Sequence, residues 1–154
     1  MFKYQIQKIK YLLGVFLILC SFESLADIDG SNLKNIVCKM HVKNNKNITL
    51  SLDIADTKEK KSIGLMHRNK IKNNHGMLFL WPDSQTRIFW MHNTFINLDL
   101  FFMNQEGVII EIYRNAIALD KFNIQSKVKA RSVLELNAGE FKGNLGDKLV
   151  CPSL

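Results

Sequence analysis

A mainly β fold, an antiparallel sandwich or barrel with one short α-helix, is predicted by three features of the sequence. Apolar residues recur at every second position in several short runs. Turn-forming residues separate those runs at close intervals. Only one stretch carries helical spacing. The chain has 154 residues, a length that suits one domain rather than two. Its 47% apolar and 23% charged content can bury a core and excludes a disordered tail. Two Pro and eight Gly exclude a collagen-like or low-complexity chain. Three Cys are too few for a disulfide-dense mini-scaffold.

The first 26 residues read as a targeting segment rather than as part of the fold. Lys3, Lys8 and Lys10 precede an uncharged apolar run from Tyr11 to Cys20, and Ser24-Leu25-Ala26 supplies a small-residue cleavage site before Asp27. This is the three-part layout of a secretory signal peptide. The run is too short for a helix across a bilayer, which needs about 20 residues. Two other readings use the same stretch. One is an uncleaved anchor beginning near Tyr4, which would hold the protein to a membrane through this segment alone. The other is a lipoprotein acylated at Cys20, against which stands the bulk of Leu19. With residues 1–26 removed, 18 basic and 13 acidic residues remain, a net charge of +5. The basic residues are spread out apart from Lys58, Lys60 and Lys61, and no aromatic pattern accompanies them. Nucleic acid is therefore not an expected partner.

Removal of Cys20 leaves Cys38 and Cys151, one near each end of the mature chain. An even pair in an exported protein reads as a disulfide joining the terminal strands. Two buried free thiols are the other reading of that pair.

Element by element, residues 27–35 read as a flexible leader and 36–154 as a single β domain. Ile36, Cys38, Met40 and Val42 alternate as a strand does. Lys43 to Asn47 is turn-forming. Ile48, Leu50, Leu52 and Ile54 alternate with polar partners in the cleanest strand of the chain, and the two runs form a hairpin. Asp56 and Glu59 are spaced like a capping box, so a short helix is expected over 57–66. Gly76 to Trp81 is apolar throughout and bounded by Gly and Pro82, which favours a buried strand. Ile88 to Met91 is a short apolar run. Leu98 to Met103 and Val108 to Tyr113 flank Asn104-Gln105-Glu106-Gly107, a hairpin loop whose Gly tolerates positive φ. Residues 114–131 have no dominant period. Ser132 to Leu136 and Lys148 to Cys151 are the last two strands.

Gly64-Leu65-Met66-His67-Arg68, Gly76-Met77-Leu78-Phe79, Trp90-Met91-His92-Asn93-Thr94, Leu98-Asp99 and Leu134-Glu135-Leu136-Asn137-Ala138-Gly139 stand in the order of motifs in a known family. Over roughly residues 36–151 the chain resembles domain-of-unknown-function family 192, also called uncharacterised protein family 0127. The resemblance implies a β-sandwich or jelly-roll-like barrel with one short helix, often exported, and no established reaction. Three positions depart from the family pattern. His67 replaces a frequent aromatic, Asn97 a usual Pro, and His92 a usual Lys. The last exchanges a fixed cation for a group mostly neutral near pH 7.

Arg68, Trp90, Asn93, Thr94, Asp99 and Glu135 match polar or aromatic positions of those motifs beside runs that must be core. The expected function is an exported small-ligand or partner-binding domain with a polar and aromatic cleft around Arg68, Trp90 and Asp99. Trp90 would offer a ring face to a sugar or other flat ligand. Arg68 would grip a carboxylate or phosphate in two-pronged fashion. The competing reading pairs Arg68 with Asp99 or Glu135, and has Asn93 and Thr94 close a turn. A second function class is a glycosidase-like hydrolase using Asp99 and Glu135, which requires carboxyls about 5–9.5 Å apart. A third is a periplasmic Cu(I)-binding protein, because each of the four His lies within two residues of a Met, at Met40-His41, Met66-His67, His75-Met77 and Met91-His92. Strand geometry opposes it, since adjacent residues point to opposite faces, and no metal site is assigned. Gly-x-Ser-x-Gly, His-Glu-x-x-His and phosphate-loop motifs are absent. No cofactor is expected.

Overall fold

The computed structural model describes residues 33–43 and 47–152. The targeting segment, most of the leader and the tip of the first turn lie outside the described residues. Within them the order is β1 (Asn35–His41), β2 (Asn47–Ala55), α1 (Lys58–Ile63), β3 (His75–Gln85), β4 (Ile88–Phe89), β5 (Leu98–Met103), β6 (Ile109–Ala116), β7 (Ile124–Gln125), β8 (Ala130–Asn137) and β9 (Lys148–Val150). The fold is mainly β with one short helix. Seven strands form one sheet in the order β6-β5-β8-β3-β2-β1-β9, and β4 pairs with β7 as a separate ribbon. Every pairing is antiparallel except β2 with β3. That parallel pair follows from the intervening segment, long enough to carry the chain back to its starting end.

The sheet curls until its edges touch. Val108, just before β6, bridges to Lys148 of β9. Ile109 N donates to Asp147 O at 2.8 Å, and Leu149 N to Gly107 O at 2.9 Å. Gly107 has φ +77°, and a Cβ there would sit 2.4 Å from the Leu149 carbonyl. The hairpin turn therefore needs glycine both for its backbone and for room at the closure.

The alternation of β1 and β2 places Cys38, Met40, Leu50, Leu52 and Ile54 on the inner face. Leu78, Phe101, Met103, Leu134 and Leu136 join them in the first core. The outer face of β3, β5 and β8 carries Met77, Phe79, Leu100, Phe102 and Val133 into a second core, sealed by Leu65, Phe89, Met91 and Ile124. Central strands covered on both sides lose the polar alternation, as in β5, where all six residues are buried and Asp99 alone is polar. Each large side chain so buried contributes about 1.5–3 kcal/mol.

Several boundaries differ from expectation for local reasons. The helix cap is Thr57, whose hydroxyl accepts from Lys60 N at 3.2 Å. Asp56 instead pairs with Lys60 Nζ at 2.8 Å. The helix ends at Ile63 because Gly64 turns out of it with φ +53°. β3 continues through Pro82, which falls where the ladder to β8 is interrupted between Leu80 and Gln85, so its missing N–H breaks no pairing. The sheet also begins ahead of Ile36: Lys34 O accepts from Ile54 N at 2.8 Å, and Leu33 packs against the second core. Cys38 and Cys151 form a disulfide across 113 residues of chain, tying β1 to the end of β9.

Candidate functional site

β2 turns Leu52 and Ile54 inward, so Asp53 faces out on the opposite side. There Arg68 Nη1 donates to Asp53 Oδ2 at 2.8 Å, and Asn35 Nδ2 to Asp53 Oδ1 at 2.8 Å. The loop from Arg68 to His75 is held against the sheet. Ser51 N donates to Asn74 O at 2.8 Å, His75 N to Lys72 O at 3.1 Å, and Asn137 Nδ2 to Ile71 O at 3.3 Å. Asn74 N donates to the Glu140 carboxylate. So anchored, Arg68, Lys70, Lys72 and His75 line one concavity of about 210 Å³ with Asp53 as its single acid. The Asp53 contact occupies one guanidinium nitrogen. No ion pair engages Lys70 or Lys72 among the described residues. His75 Nδ1 lies 3.1 Å from Asn73 O, which makes that nitrogen the donor.

Asp99 belongs to a different place. Its carboxylate accepts from Arg114 Nη1 at 2.8 Å, Asn115 N at 2.8 Å and Gly139 N at 3.1 Å. Arg114 also donates to Phe141 O at 2.7 Å and Gly143 O at 2.5 Å, with its guanidinium over the Phe101 ring. This network closes one mouth of the sheet and lines a concavity of about 460 Å³. Asp99 is buried and satisfied, so it acts as a brace. Arg114 is the exposed member, with 41% of its side chain in contact with solvent.

Glu135 sits on β8 opposite Met77 of β3 and Leu100 of β5, buried in the outer-face core. No hydrogen bond to its carboxyl is formed by the described residues, and burial alone pushes its pKa up to about 8. Across β5 and β8, Asp99 pairs with Leu136 and Leu100 with Glu135. Directly opposed residues share a face, so the two acids point to opposite sides of the sheet. The hydrolase pairing of Asp99 with Glu135 is corrected on that ground, because no substrate can reach both from one side.

Asn93 and Thr94 make the turn that the competing reading assigned to them. Asn93 has φ +53°, and its carbonyl accepts from His67 N at 2.8 Å. Thr94 is buried, with its N–H on Met91 O at 3.1 Å. Trp90 is exposed and lines neither concavity. The six predicted residues thus do not form one cleft. Arg68 and Asp99 line separate hollows that have no residue in common. The copper reading meets a similar obstacle. Met40 is packed in the inner core, and Met77 and Met91 in the outer one, so these thioethers are divided between two cores and shielded from solvent.

Sequence reasoning does not single out Asp53, Lys70, Lys72 or Arg114, and it marks His75 only for the copper reading. Asp53 was visible as the polar alternate of the cleanest strand. Counting the hairpin outward from Asn104–Gly107 sets Ile112 across from Asp99; register shifts at Phe102/Met103 and Leu98/Leu100 bring Arg114 beside it instead. Nothing local marks Lys70 and Lys72, whose convergence depends on how their loop is pinned.

Residues 40–149 match the family described as DUF192, Uncharacterized ACR. A crystal structure from Sinorhizobium meliloti 1021, titled as a candidate transcription regulator, is 30% identical, with TM-score 0.77, covering 79% of this chain and 97% of that one. A protein of unknown function from Novosphingobium aromaticivorans DSM 12444 is 27% identical, with TM-score 0.73, covering 77% and 86%. No curated protein matches the chain.

Proposed function

The chain belongs to the DUF192 family, and from the site just described we propose that it is an exported β domain that binds a small anion at Arg68. The observation that carries this reading is the lining of the Arg68 hollow, four basic side chains around a single acid. Asp53 orients the guanidinium and neutralises one charge. The remaining nitrogens of Arg68, with Lys70 and Lys72, are free to meet the oxygens of a carboxylate or phosphate. The volume is below the roughly 300–1,000 Å³ typical of drug-sized ligands and suits a compact anionic head. A sugar-stacking role is disfavoured, since Trp90 stands apart from both hollows. Export is supported by the three-part amino-terminal segment and by the Cys38–Cys151 bond, because disulfides persist in oxidising compartments.

A thermal-shift series on the chain from Asp27, with inorganic phosphate, simple dicarboxylates and sugar acids as probes, tests the reading. A true ligand at one hundred times its dissociation constant adds about 2.7 kcal/mol of stability. Lys70→Gln and Lys72→Gln, which break no hydrogen bond or ion pair among the described residues, should each weaken binding without lowering the unliganded melting temperature. Stabilisation by none of these anions, or stabilisation unchanged in both variants, would overturn it.

A further inference from the structure

Ten large apolar side chains stand exposed among the described residues, and six of them come from two segments, 88–95 and 117–122. They are Ile88, Trp90, Phe95, Ile117, Leu119 and Phe122. Phe122 is 81% exposed and the others 45–57%. The segments are fastened together. Leu119 N donates to Thr94 O at 3.0 Å, and β4 pairs with β7 through Ile88 with Gln125 and Phe89 with Ile124. Scattered apolar residues need no explanation, but six on two segments that the backbone fastens together mark a contact surface. Leu119 adds an independent sign. It holds φ +62°, a conformation that suits Gly or Asn and costs a leucine of order 1 kcal/mol. The fold tolerates strain there while presenting an apolar side chain to solvent.

Exposed cations adjoin these segments along the chain. Ile124, Ser126 and Ala130 are buried, and Gln125, Lys127 and Lys129 between and beside them are exposed. Gln125 lies opposite Ile88 on one face of the ribbon, and Lys127 and Lys129, both exposed, follow just after it. Lys121 directly precedes Phe122. None of these three lysines forms an ion pair among the described residues. Of the nearby acids, Asp120 accepts from Phe122 N at 3.1 Å, and Glu111 from the amides of Lys127 and Val128.

We propose that this patch seats the domain on an anionic lipid surface, the apolar tips entering the headgroup boundary and the lysines meeting lipid phosphates. Aromatic and aliphatic tips beside lysines suit that boundary, where rings and long basic side chains keep a polar end in water. A protein partner fits less well, because protein interfaces favour Arg over Lys and the flanking cations here are lysines. A symmetric second copy would bring like charges together. Among the described residues no helix is long and apolar enough to cross a membrane.

The test uses the chain from Asp27, since the compact unit Asn32–Leu154 holds both cores and the disulfide. Co-sedimentation is measured with phosphatidylglycerol-containing vesicles and with pure phosphatidylcholine vesicles. Binding should be confined to the acidic vesicles, weaken as salt rises, and fall several-fold in Phe122→Ser. Each of Lys121→Gln, Lys127→Gln and Lys129→Gln should lower it about five-fold. Leu119→Asn separates this role from a structural one: it should weaken binding while leaving the melting temperature equal or higher, because Asn accepts the left-handed backbone. Equal binding to neutral vesicles, no binding to either, or retained binding in Phe122→Ser and Leu119→Asn would overturn the proposal. So would concentration-dependent dimerisation abolished by the same substitutions in protein that ignores vesicles.

Discussion

A carboxyl removed from water resists ionisation, and Glu135 meets that condition beneath the outer core with burial as the sole cause of its shift to about 8. The consequence for stability has a definite sign. Between the ordinary carboxyl range and that value, the unfolded chain releases its proton while the folded chain keeps it. Stability is therefore highest at low pH with respect to this group, and declines as pH rises toward the folded value, by up to about 1.4 kcal/mol per pH unit. Glu135→Gln should remove that slope and raise the unfolding free energy at pH 8 by several kcal/mol, read by denaturant titration at a series of pH values. An unchanged slope in the variant would show that the carboxyl ionises freely in the fold. The sequence marked Glu135 as polar beside core runs but not its neighbours, because pairing with Met77 and Leu100 depends on strands distant along the chain. Arg68 was legible as an anion-gripping residue from its motif, whereas its partner was assigned to the wrong acid. Asp53 takes the place given to Asp99 or Glu135 because β2 lies beside the Arg68 loop.

At the scale of elements, the closure of the sheet rests on a turn. The Asn104–Gly107 loop was evident from its residues, and so was the need for glycine. That its tip would also join β9 was not, since β9 arrives some forty residues later in the chain. Gly107→Ala imposes both a left-handed backbone and a contact with the Leu149 carbonyl. It should cost about 1–3 kcal/mol and speed hydrogen exchange at the amides of Ile109 and Leu149 more than at those of Leu134 or Leu78. Uniform acceleration would mean that the closure is not a separate unit of stability. The alternating strands β1 and β2 and the doubly buried β5 were read correctly because their periods reflect the faces they present. The ribbon β4–β7 escaped notice, as two-residue strands carry no period and their pairing spans the unassigned 114–131 segment.

At the scale of the whole domain, residues near the two ends of its described part are tied by Cys38–Cys151. Opening the bond should lower stability by about 4–5 kcal/mol on the chain-entropy account of so long a loop, measured as the shift in denaturant midpoint on reduction or in Cys38→Ser with Cys151→Ser. A shift near zero would show that the sheet pairing alone holds the termini. The exported reading makes a matching statement about the natural product: its first residue should be Asp27 and its two thiols should be oxidised, which amino-terminal sequencing and thiol titration check. Composition, periodicity and turn chemistry alone determined the class of fold and its single helix, because each is written in local spacing or in simple counting; the count of cysteines pointed to the pairing that the fold then made. Only the tertiary structure decided that Asp99 and Glu135 look away from each other, that Arg68 answers to Asp53, and that scattered lysines and aromatics converge on hollows and patches. Which residues meet is set by strand register and by sheet curvature, and both arise from contacts between segments far apart in the chain.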